Sequence, residues 1–471
     1  MTDDIAYAEL TQVAELIRTR QVTSAEVTDV LLARIDALDP ALHSFVHVTP
    51  DAARAAAALA DAELASGRRR GPLHGVPVAV KDLLHTADAP TAAGTTVLDG
   101  PPDFDATAVA RLRAAGAVVL GKLRMTEGAF LEYHPGAPVP VNPWDAGTWA
   151  GVSSSGCGVA TAAGLCYGSL GSDTGGSIRM PSAMNGLTGL KPTWGRVSRY
   201  GVVELAGSLD HIGPMARSAA DCAALLGAIA GADLQDATAS PEPVPDYLGS
   251  LGRLAAPPRV GVDRTLLAQF DAPTRTMLDA VEETLLGLGW GVVDVTTPDL
   301  GAAAMDFAPL CAVEAARAHA ATFPSRADEY GPGFRALLES GRAMSGESVE
   351  SLRERRADFS GRLRRLFSAV DLLLLPGIGV ASPSVAALDG LMSDFGLLAG
   401  LMVPTAPFDL SGSPTITFPA GFTDRGTPLG AQLVGAHFSE GLLLQAAHAF
   451  QSVTGFHRVH PEVGVDAGVA R

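Results

Sequence analysis

Short apolar runs, each closed by glycine, proline or a charged residue, alternate along the chain with segments whose apolar residues recur at helical spacing. The run "GVPVAVKDLL" is rich in valine and predicts a buried strand with Lys81 at its carboxyl end. "TAVARLRAAG" then predicts a helix and "AVVLGK" another strand, and the alternation returns in "GCGVATAAGLC" and "YGSLGSD". The pattern predicts an α/β protein: a single large domain with a mixed, mostly parallel, twisted sheet covered by helices on both faces.

Four segments are expected within this single domain of residues 1–471. They are the N-terminal helices (1–70), the motif-rich core (71–230), an acidic, proline-containing loop or linker (231–258) and the part that completes the sheet and the substrate pocket (259–460). The second N-terminal helix begins with the capping-box pattern Thr23-x-x-Glu26. The later strand candidates are "RVGVD", "WGVVDV", "VDLLLLPG", "SPTITFPAG" and "LGAQLVGA".

Charge and composition narrow the expected partners and location. The net charge of −17 disfavours nucleic acid and anionic membrane, which both attract clustered lysine and arginine. The N-terminus "MTDDIAYAEL" has neither the basic nor the apolar region of a signal peptide, and no apolar run is long enough to cross a bilayer, so we expect a cytoplasmic protein. The four cysteines form no C-x-x-C pair and are expected to be buried free thiols. The oligomeric state stays open, with a homodimer as one alternative.

Lysine is rare in this chain. Of the 34 basic residues, only Lys81, Lys122 and Lys191 are lysines. Lysine can lose its proton, whereas arginine effectively cannot. The pattern therefore singles out these three positions as candidates for a role that arginine cannot fill.

Two clusters of serine and glycine follow one another, "GVSSSGCG" (residues 151–158) and "SDTGGSIR" (residues 172–179). Neither matches a phosphate-binding loop, and "GCGVAT" lacks the third glycine of the dinucleotide fingerprint, which disfavours nucleotide binding. Ser177 follows two glycines, as an exposed nucleophile often does, but Arg179 stands where the nucleophile-elbow pattern requires glycine. Spacing alone leaves two tight turns with helix-capping serines as an equal alternative.

Several segments together resemble the amidase signature family. "GVPVAVKDL", "GVSSSGCGVATAAG" and "GSLGSDTGGSIRMPSAMNGLTGLKPTWGRVSRYG" occur in the family's order, and "SLDHIGPMARSAADCA" extends the match. "GSPTITFPAGF" and "LGAQLVGAHFSEGLLLQAAHAFQ" resemble its C-terminal part, whereas residues 232–412 resemble it only loosely. The resemblance implies the amidase signature fold, with a sheet of about 10–11 strands.

The resemblance also implies a Ser-Ser-Lys catalytic triad. Ser177 would be the nucleophile, Lys81 the base, and Ser153 the bridging serine that the family holds in a cis peptide. Burial among valines and leucines would lower the pKa of Lys81 and favour the neutral form that accepts a proton. The family's G-G-S-S-G-G is altered here, so a cis bond would join Val152 to Ser153, and Ser154 is the alternative bridging residue.

Three further sets of residues are expected around the nucleophile. Backbone N–H groups are predicted to form an oxyanion hole at Thr174, Gly175 and Gly176. Supporting roles, chiefly hydrogen bonds that fix the loop, are assigned to Ser154, Asp173 and Arg179. Substrate contacts are assigned to Met125, Phe130, Tyr133, Gly151 and Val152.

The expected function is a serine hydrolase that cleaves linear amides through an acyl-enzyme on Ser177, with esters and carbamates (urethanes) as further substrates. The alternatives are an amidotransferase component of the A type and an amidase-like scaffold without activity. The expected partner is a small-molecule amide or carbamate. No cofactor or metal is expected, because the histidine pairs 43/47 and 457/460 have no neighbouring cysteine or carboxylate motif.

Overall fold

Eleven strands form one sheet in the computed structural model, which covers residues 5–98, 100, 102–388 and 394–463. The strands are β1 (Phe45–Val48), β2 (Pro77–Lys81), β3 (Val118–Leu123), β4 (Gly168–Asp173), β5 (Thr188–Lys191), β6 (His211–Ala216), β7 (Arg259–Val262), β8 (Gly291–Asp294), β9 (Leu372–Pro376), β10 (Thr415–Phe422) and β11 (Pro428–Gly435). Their spatial order within these residues is β1, β3, β2, β4, β6, β5, β10, β11, β9, β7, β8.

The pairing of these strands makes the sheet mixed. Parallel pairings join β2 to β3 and β4, and β7 to β8 and β9. The remaining six pairings among the described strands are antiparallel. The predicted mixed α/β sheet is confirmed, but its expected parallel majority is wrong, because β5, β6, β10 and β11 each meet their neighbours in antiparallel.

Helices flank the sheet. In chain order they are α1 (Leu10–Arg18), α2 (Ser24–Leu42), α3 (Pro50–Ala65), α4 (Thr107–Ala114), α5 (Ser155–Ala162), α6 (Arg179–Asn185), α7 (Ala219–Ile229), α8 (Arg264–Leu267), α9 (Ala272–Gly287), α10 (Leu300–Ala318), α11 (Pro332–Ala343), α12 (Gly346–Leu366), α13 (Val385–Leu388), α14 (Phe395–Met402), α15 (Ala406–Leu410) and α16 (Glu440–Thr454). The predicted capping box opens α2, where the Thr23 and Glu26 side chains each accept from the other's backbone N–H. Residues 232–258 contain turns but neither helix nor strand.

Lys81 and Ser172 lie at the carboxyl ends of the neighbouring strands β2 and β4. Both strands are buried along their whole length, as the valine-rich run of β2 predicts. They pair in parallel through Ala79 with Ser169 and Val80 with Leu170. Because both strands run in the same direction, their carboxyl ends meet at one edge of the sheet. Lys81 and Ser172 therefore lie side by side there.

The described ranges contain no helix that is both long and apolar enough to cross a membrane. In the same ranges no group of three histidine, cysteine, aspartate or glutamate side chains is placed to hold a metal ion. The four cysteines are all buried and free.

Candidate active site

Lys81 ends β2 with a side chain that is completely buried. Its Nζ lies 2.6 Å from Ser153 Oγ and 2.8 Å from Ser172 Oγ. Burial lowers the pKa of Lys81 from 10.5 to about 7, because the charged ammonium loses its hydration. Near neutral pH a large fraction of this lysine is therefore unprotonated and able to accept a proton.

The other two lysines have different surroundings. Lys122 is buried and forms an ion pair with Asp82 at 3.2 Å. Lys191 is also buried and donates to the carbonyls of Phe408, at 3.1 Å, and Ser413, at 2.6 Å. Among the described residues, Lys81 is the lysine whose hydrogen bonds go only to hydroxyl groups, which are the groups it could deprotonate.

Ser153 and Ser154 precede α5 and have different partners. Ser153 Oγ contacts Lys81, whereas Ser154 Oγ donates to the carbonyl of Ser172 at 3.1 Å. The peptide bond between Val152 and Ser153 is cis. The fold thus brings the hydroxyl of Ser153, and not that of Ser154, to the buried lysine. Ser172 is a second hydroxyl neighbour of Lys81 that the sequence motifs do not single out.

Ser177 lies in the loop between β4 and α6 and is half-buried. It borders a cavity of about 380 Å³. In the part of the chain that the structure describes, its hydroxyl has no hydrogen-bond partner. The structure therefore brings Lys81 and Ser153 into contact and places Ser177 at the cavity, without a hydrogen bond between Ser153 and Ser177 in the described residues.

The loop that carries Ser177 is organised by the carboxylate of Asp173. Its oxygens accept from the N–H groups of Gly176, at 2.6 Å, and Ile178, at 2.9 Å. They also form a fully buried ion pair with Arg179 at 2.8 Å. Burial raises the pKa of Asp173, but the Arg179 guanidinium outweighs burial and holds that pKa well below its usual range. The carboxylate therefore stays charged and fixes the loop.

Two of the three N–H groups predicted for an oxyanion hole make no hydrogen bond within the described part of the chain. Those of Thr174 and Gly175 have no acceptor among the described residues. The Gly176 N–H already donates to Asp173, so it is not available to an oxyanion, contrary to the prediction. Thr174 is held in place by its own hydroxyl, which donates to Asp210 Oδ1 at 2.6 Å.

Glycine is required at two positions of this loop. A Cβ on Gly175 would lie 2.6 Å from Cζ of Phe307. At Gly176, where φ is +134°, a Cβ would lie 2.5 Å from Cε of Met180. Contacts this short are repulsive, and the positive φ itself favours glycine. The two glycines thus let α6 and α10 pack directly on the loop.

The cavity beside Ser177 is lined mainly by apolar side chains. Of the predicted substrate-binding residues, Phe130 and Val152 line it. A large part of its wall comes from one face of α10, through Gly301, Ala304, Met305, Phe307, Ala308 and Cys311. A further part comes from α14 and the residue after it, through Leu398, Ala399, Met402 and Val403. The sequence prediction missed both helices, although the small residues of α10 recur at the three- and four-residue spacing of one helix face.

Three predicted substrate contacts lie elsewhere. Met125 is buried in the main hydrophobic core. The Tyr133 hydroxyl is 2.5 Å from Ser155 Oγ, inside the structure, and burial raises the pKa of that phenol. A Cβ on Gly151 would lie 2.4 Å from Cα of Pro181, so this glycine packs against backbone. None of the three lines the cavity, because Met125 packs in the core, Tyr133 bonds Ser155 and Gly151 packs on the backbone of Pro181.

The family model described as Amidase matches residues 26–444. The chain belongs to the amidase family. It is 58% identical to the putative amidase AmiD of Mycobacterium tuberculosis, over 98% of this chain and 97% of that protein. It is 37% identical to the A component of the glutamyl-tRNA(Gln) amidotransferase of Chloroflexus aurantiacus, over 98% of this chain and 100% of that protein. The predicted resemblance is thereby confirmed.

Solved structures in this amidase family share the fold. The native peptide amidase from Stenotrophomonas maltophilia is 31% identical, with a TM-score of 0.83 over 98% of this chain and 99% of that one. The 6-aminohexanoate cyclic dimer hydrolase is 27% identical, with a TM-score of 0.87 over 97% of this chain and 99% of that one. The fold class predicted from sequence is the one these enzymes have.

Proposed function

We propose that the protein hydrolyses linear amides through an acyl-enzyme on Ser177. The observation that carries this proposal is the 2.6 Å contact between Lys81 Nζ and Ser153 Oγ at a fully buried position. A neutral lysine there can take the proton of Ser153, which in turn takes that of Ser177 as its oxygen attacks the amide carbonyl. The free N–H groups of Thr174 and Gly175 are the donors for the developing oxyanion.

The second half of the reaction uses the same groups in reverse. When the tetrahedral species collapses, the C–N bond breaks and the departing amine takes a proton returned through Ser153 from Lys81. Water then attacks the acyl-enzyme, gives its proton to the same relay and releases the carboxylate. Esters and carbamates pass through the same oxyanionic species, so we extend the proposal to them.

The relatives support two kinds of activity. The names of the peptide amidase and of the cyclic dimer hydrolase support hydrolysis as the first candidate. The identity of 37% with the A component of an amidotransferase supports a second candidate, release of ammonia from glutamine within a larger complex. The net charge of −17 disfavours direct contact of this chain with tRNA, because phosphates repel an acidic surface.

A fluorophosphonate probe tests the proposal directly, because it reacts with an activated serine. We expect one adduct, located on Ser177 by peptide mass spectrometry, and none in Ser177→Ala. An intact protein that forms no adduct on Ser177 would contradict the hydrolase proposal.

Lys81→Ala is the matched variant for the base. We expect it to keep its fold, as judged by circular dichroism, and to lose amide hydrolysis. In the wild type, kcat/KM should rise as the pH is raised through about 7, because Lys81 then becomes neutral. Near-normal turnover in Lys81→Ala would rule out this lysine as the base.

A further inference from the structure

We infer that the site accepts amides whose acyl group is neutral and apolar, and that helix α10 selects that group. The inference rests on the proposed function, since it concerns the acyl half of an amide cleaved at Ser177. The cavity that Ser177 borders has a volume of about 380 Å³. It lies towards the small end of the range for small-molecule sites, roughly 300–1,000 Å³, and is sized for one compact group.

Among the described residues, the cavity offers no counter-ion for a charged acyl group. None of its lining residues in the described ranges carries an amine, guanidinium, imidazole or carboxylate. The Thr174 hydroxyl is already bonded to Asp210, and the thiol of Cys311 is kept neutral because burial raises its pKa. A charged acyl group would therefore lose its hydration without gaining a counter-ion, which is costly. Glutamine, with an ammonium and a carboxylate on its acyl portion, is disfavoured for the same reason.

Phe307 of α10 contacts both the cavity beside Ser177 and the loop between β4 and α6. Its side chain is 6% exposed and lines the cavity. Its ring packs against Gly175, so closely that a Cβ there would lie 2.6 Å from Cζ. The ring thus closes the cavity beside a free N–H group, and it limits how large an acyl group can sit next to Ser177.

Met305, also on α10, lies at the rim of the cavity. It lines the cavity yet is 69% exposed, so its end reaches solvent. A longer, charged side chain can be accommodated at such a position without being buried. Met305 is therefore the place where a counter-charge can be added to the cavity with the least disturbance.

Two substrates whose acyl chains have the same number of carbon atoms test whether the cavity disfavours a charged acyl group. Hexanoyl 4-nitroanilide ends in a methyl group, and its adipoyl analogue ends in a carboxylate. We expect kcat/KM for the adipoyl substrate to be lower by at least about 100-fold, because the carboxylate loses hydration and meets no counter-ion among the described lining residues. Comparable values for the two substrates would overturn the inference.

Two variants of Met305 test whether the lack of a counter-ion causes the lower kcat/KM of the adipoyl substrate. Met305→Lys should raise the adipoyl-to-hexanoyl ratio of kcat/KM by at least about tenfold, since it supplies a cation at the rim. Met305→Gln, of similar length and neutral, should leave that ratio within about twofold of the wild type. An equal change in both variants would overturn the electrostatic explanation.

Phe307→Ala tests the selection by size. We expect the ratio of kcat/KM for 1-naphthoyl over hexanoyl 4-nitroanilide to rise by at least about tenfold, because the cavity is deepened. Phe438→Ala is the control, since Phe438 is 40% exposed and does not line the cavity. An unchanged ratio in Phe307→Ala would overturn the role given to α10.

The fluorophosphonate adduct separates the two possible failures. A protein that is labelled on Ser177 but prefers the adipoyl substrate retains the proposed function and refutes this inference. A protein that is neither labelled nor active on any of these anilides refutes the proposed function itself.

Discussion

Ser153 and Ser154 are adjacent in the chain but meet different groups. The first contacts the amine of Lys81, and the second donates to the carbonyl of Ser172. We expect Ser153→Ala to lower kcat by about 10²–10⁴-fold, because it removes the group that passes the proton. Ser154→Ala should cost about 1 kcal/mol of folding free energy for the lost hydrogen bond and leave kcat within a few-fold. Steady-state kinetics and thermal unfolding of both variants measure these effects.

Ser172→Ala is the control for the comparison between Ser153→Ala and Ser154→Ala. It also removes a hydroxyl from Lys81, at 2.8 Å, but one that is not on the proposed path to Ser177. We expect this variant to keep most of its kcat. Equal losses of kcat in the Ser153 and Ser154 variants would contradict a relay that passes specifically through Ser153.

At the scale of elements, the loop between β4 and α6 depends on the buried ion pair between Asp173 and Arg179. Asp173→Asn would keep the shape of the side chain but remove the charge that faces Arg179. We expect a loss of roughly 3–5 kcal/mol in the free energy of unfolding, because the buried guanidinium of Arg179 would keep only its second ion pair, with Asp409. Labelling by the fluorophosphonate should also slow, since Asp173 holds the Gly176 and Ile178 N–H groups. Denaturant unfolding and the labelling rate measure the two effects.

The exposed pair of Arg54 and Asp29 provides the matched control. Its closest atoms also lie 2.8 Å apart, but both side chains are more than half exposed. We expect Asp29→Asn to leave the unfolding midpoint and the labelling rate unchanged, because water screens such pairs. If the two aspartate variants behaved alike, burial of the Asp173 pair would not be what fixes the loop.

Sequence patterns predicted some elements and missed others for identifiable reasons. The strands β2, β3 and β4 were predictable because each is a short run of buried residues bounded by glycine or charge. The strand β6 contains Gly213 and Pro214, and β5 has only four residues, one of them glycine. Such residues normally indicate loops, so these strands were missed. Without these antiparallel strands the pattern indicated a mostly parallel sheet.

In the candidate site, too, sequence patterns indicated some residues and missed others. Lys81, Ser153 and Ser177 could be proposed from sequence because their motifs resemble those of the amidase signature family, whereas spacing alone left helix-capping serines as an equal alternative. The wall of the cavity was not, because the small and apolar face of α10 has the composition of any helix that packs on a core. Which cavity that face lines depends on packing between residues about 130 positions apart, as between Gly175 and Phe307, and no local pattern encodes it.

At the scale of the whole molecule, lysine occurs only in the interior, whereas arginine occurs both in the interior, as at Arg179, and at the surface. All three lysines are buried, and the burial of Lys81 is complete. The basic charge of the surface therefore comes from arginine. Because an isolated buried lysine destabilises the fold when it is charged, the stability of the whole protein is coupled to the titration of Lys81.

The coupling has a definite sign. The pKa of Lys81 falls from 10.5 in the unfolded chain to about 7 in the folded protein. Between these pH values the unfolded chain binds a proton that the folded protein lacks, so raising the pH stabilises the fold. From pH 7 to pH 9 the gain from this one group is about 2 kcal/mol.

Lys81→Met removes that titration and keeps an unbranched side chain of similar length. We expect the free energy of unfolding of the wild type, measured against Lys81→Met by denaturant titration, to increase by about 2 kcal/mol between pH 7 and pH 9. Other titrating groups are common to both proteins and cancel in the difference. A difference that does not change with pH would mean that Lys81 keeps its ordinary pKa in the folded protein, and so remains protonated at neutral pH and cannot act as the base.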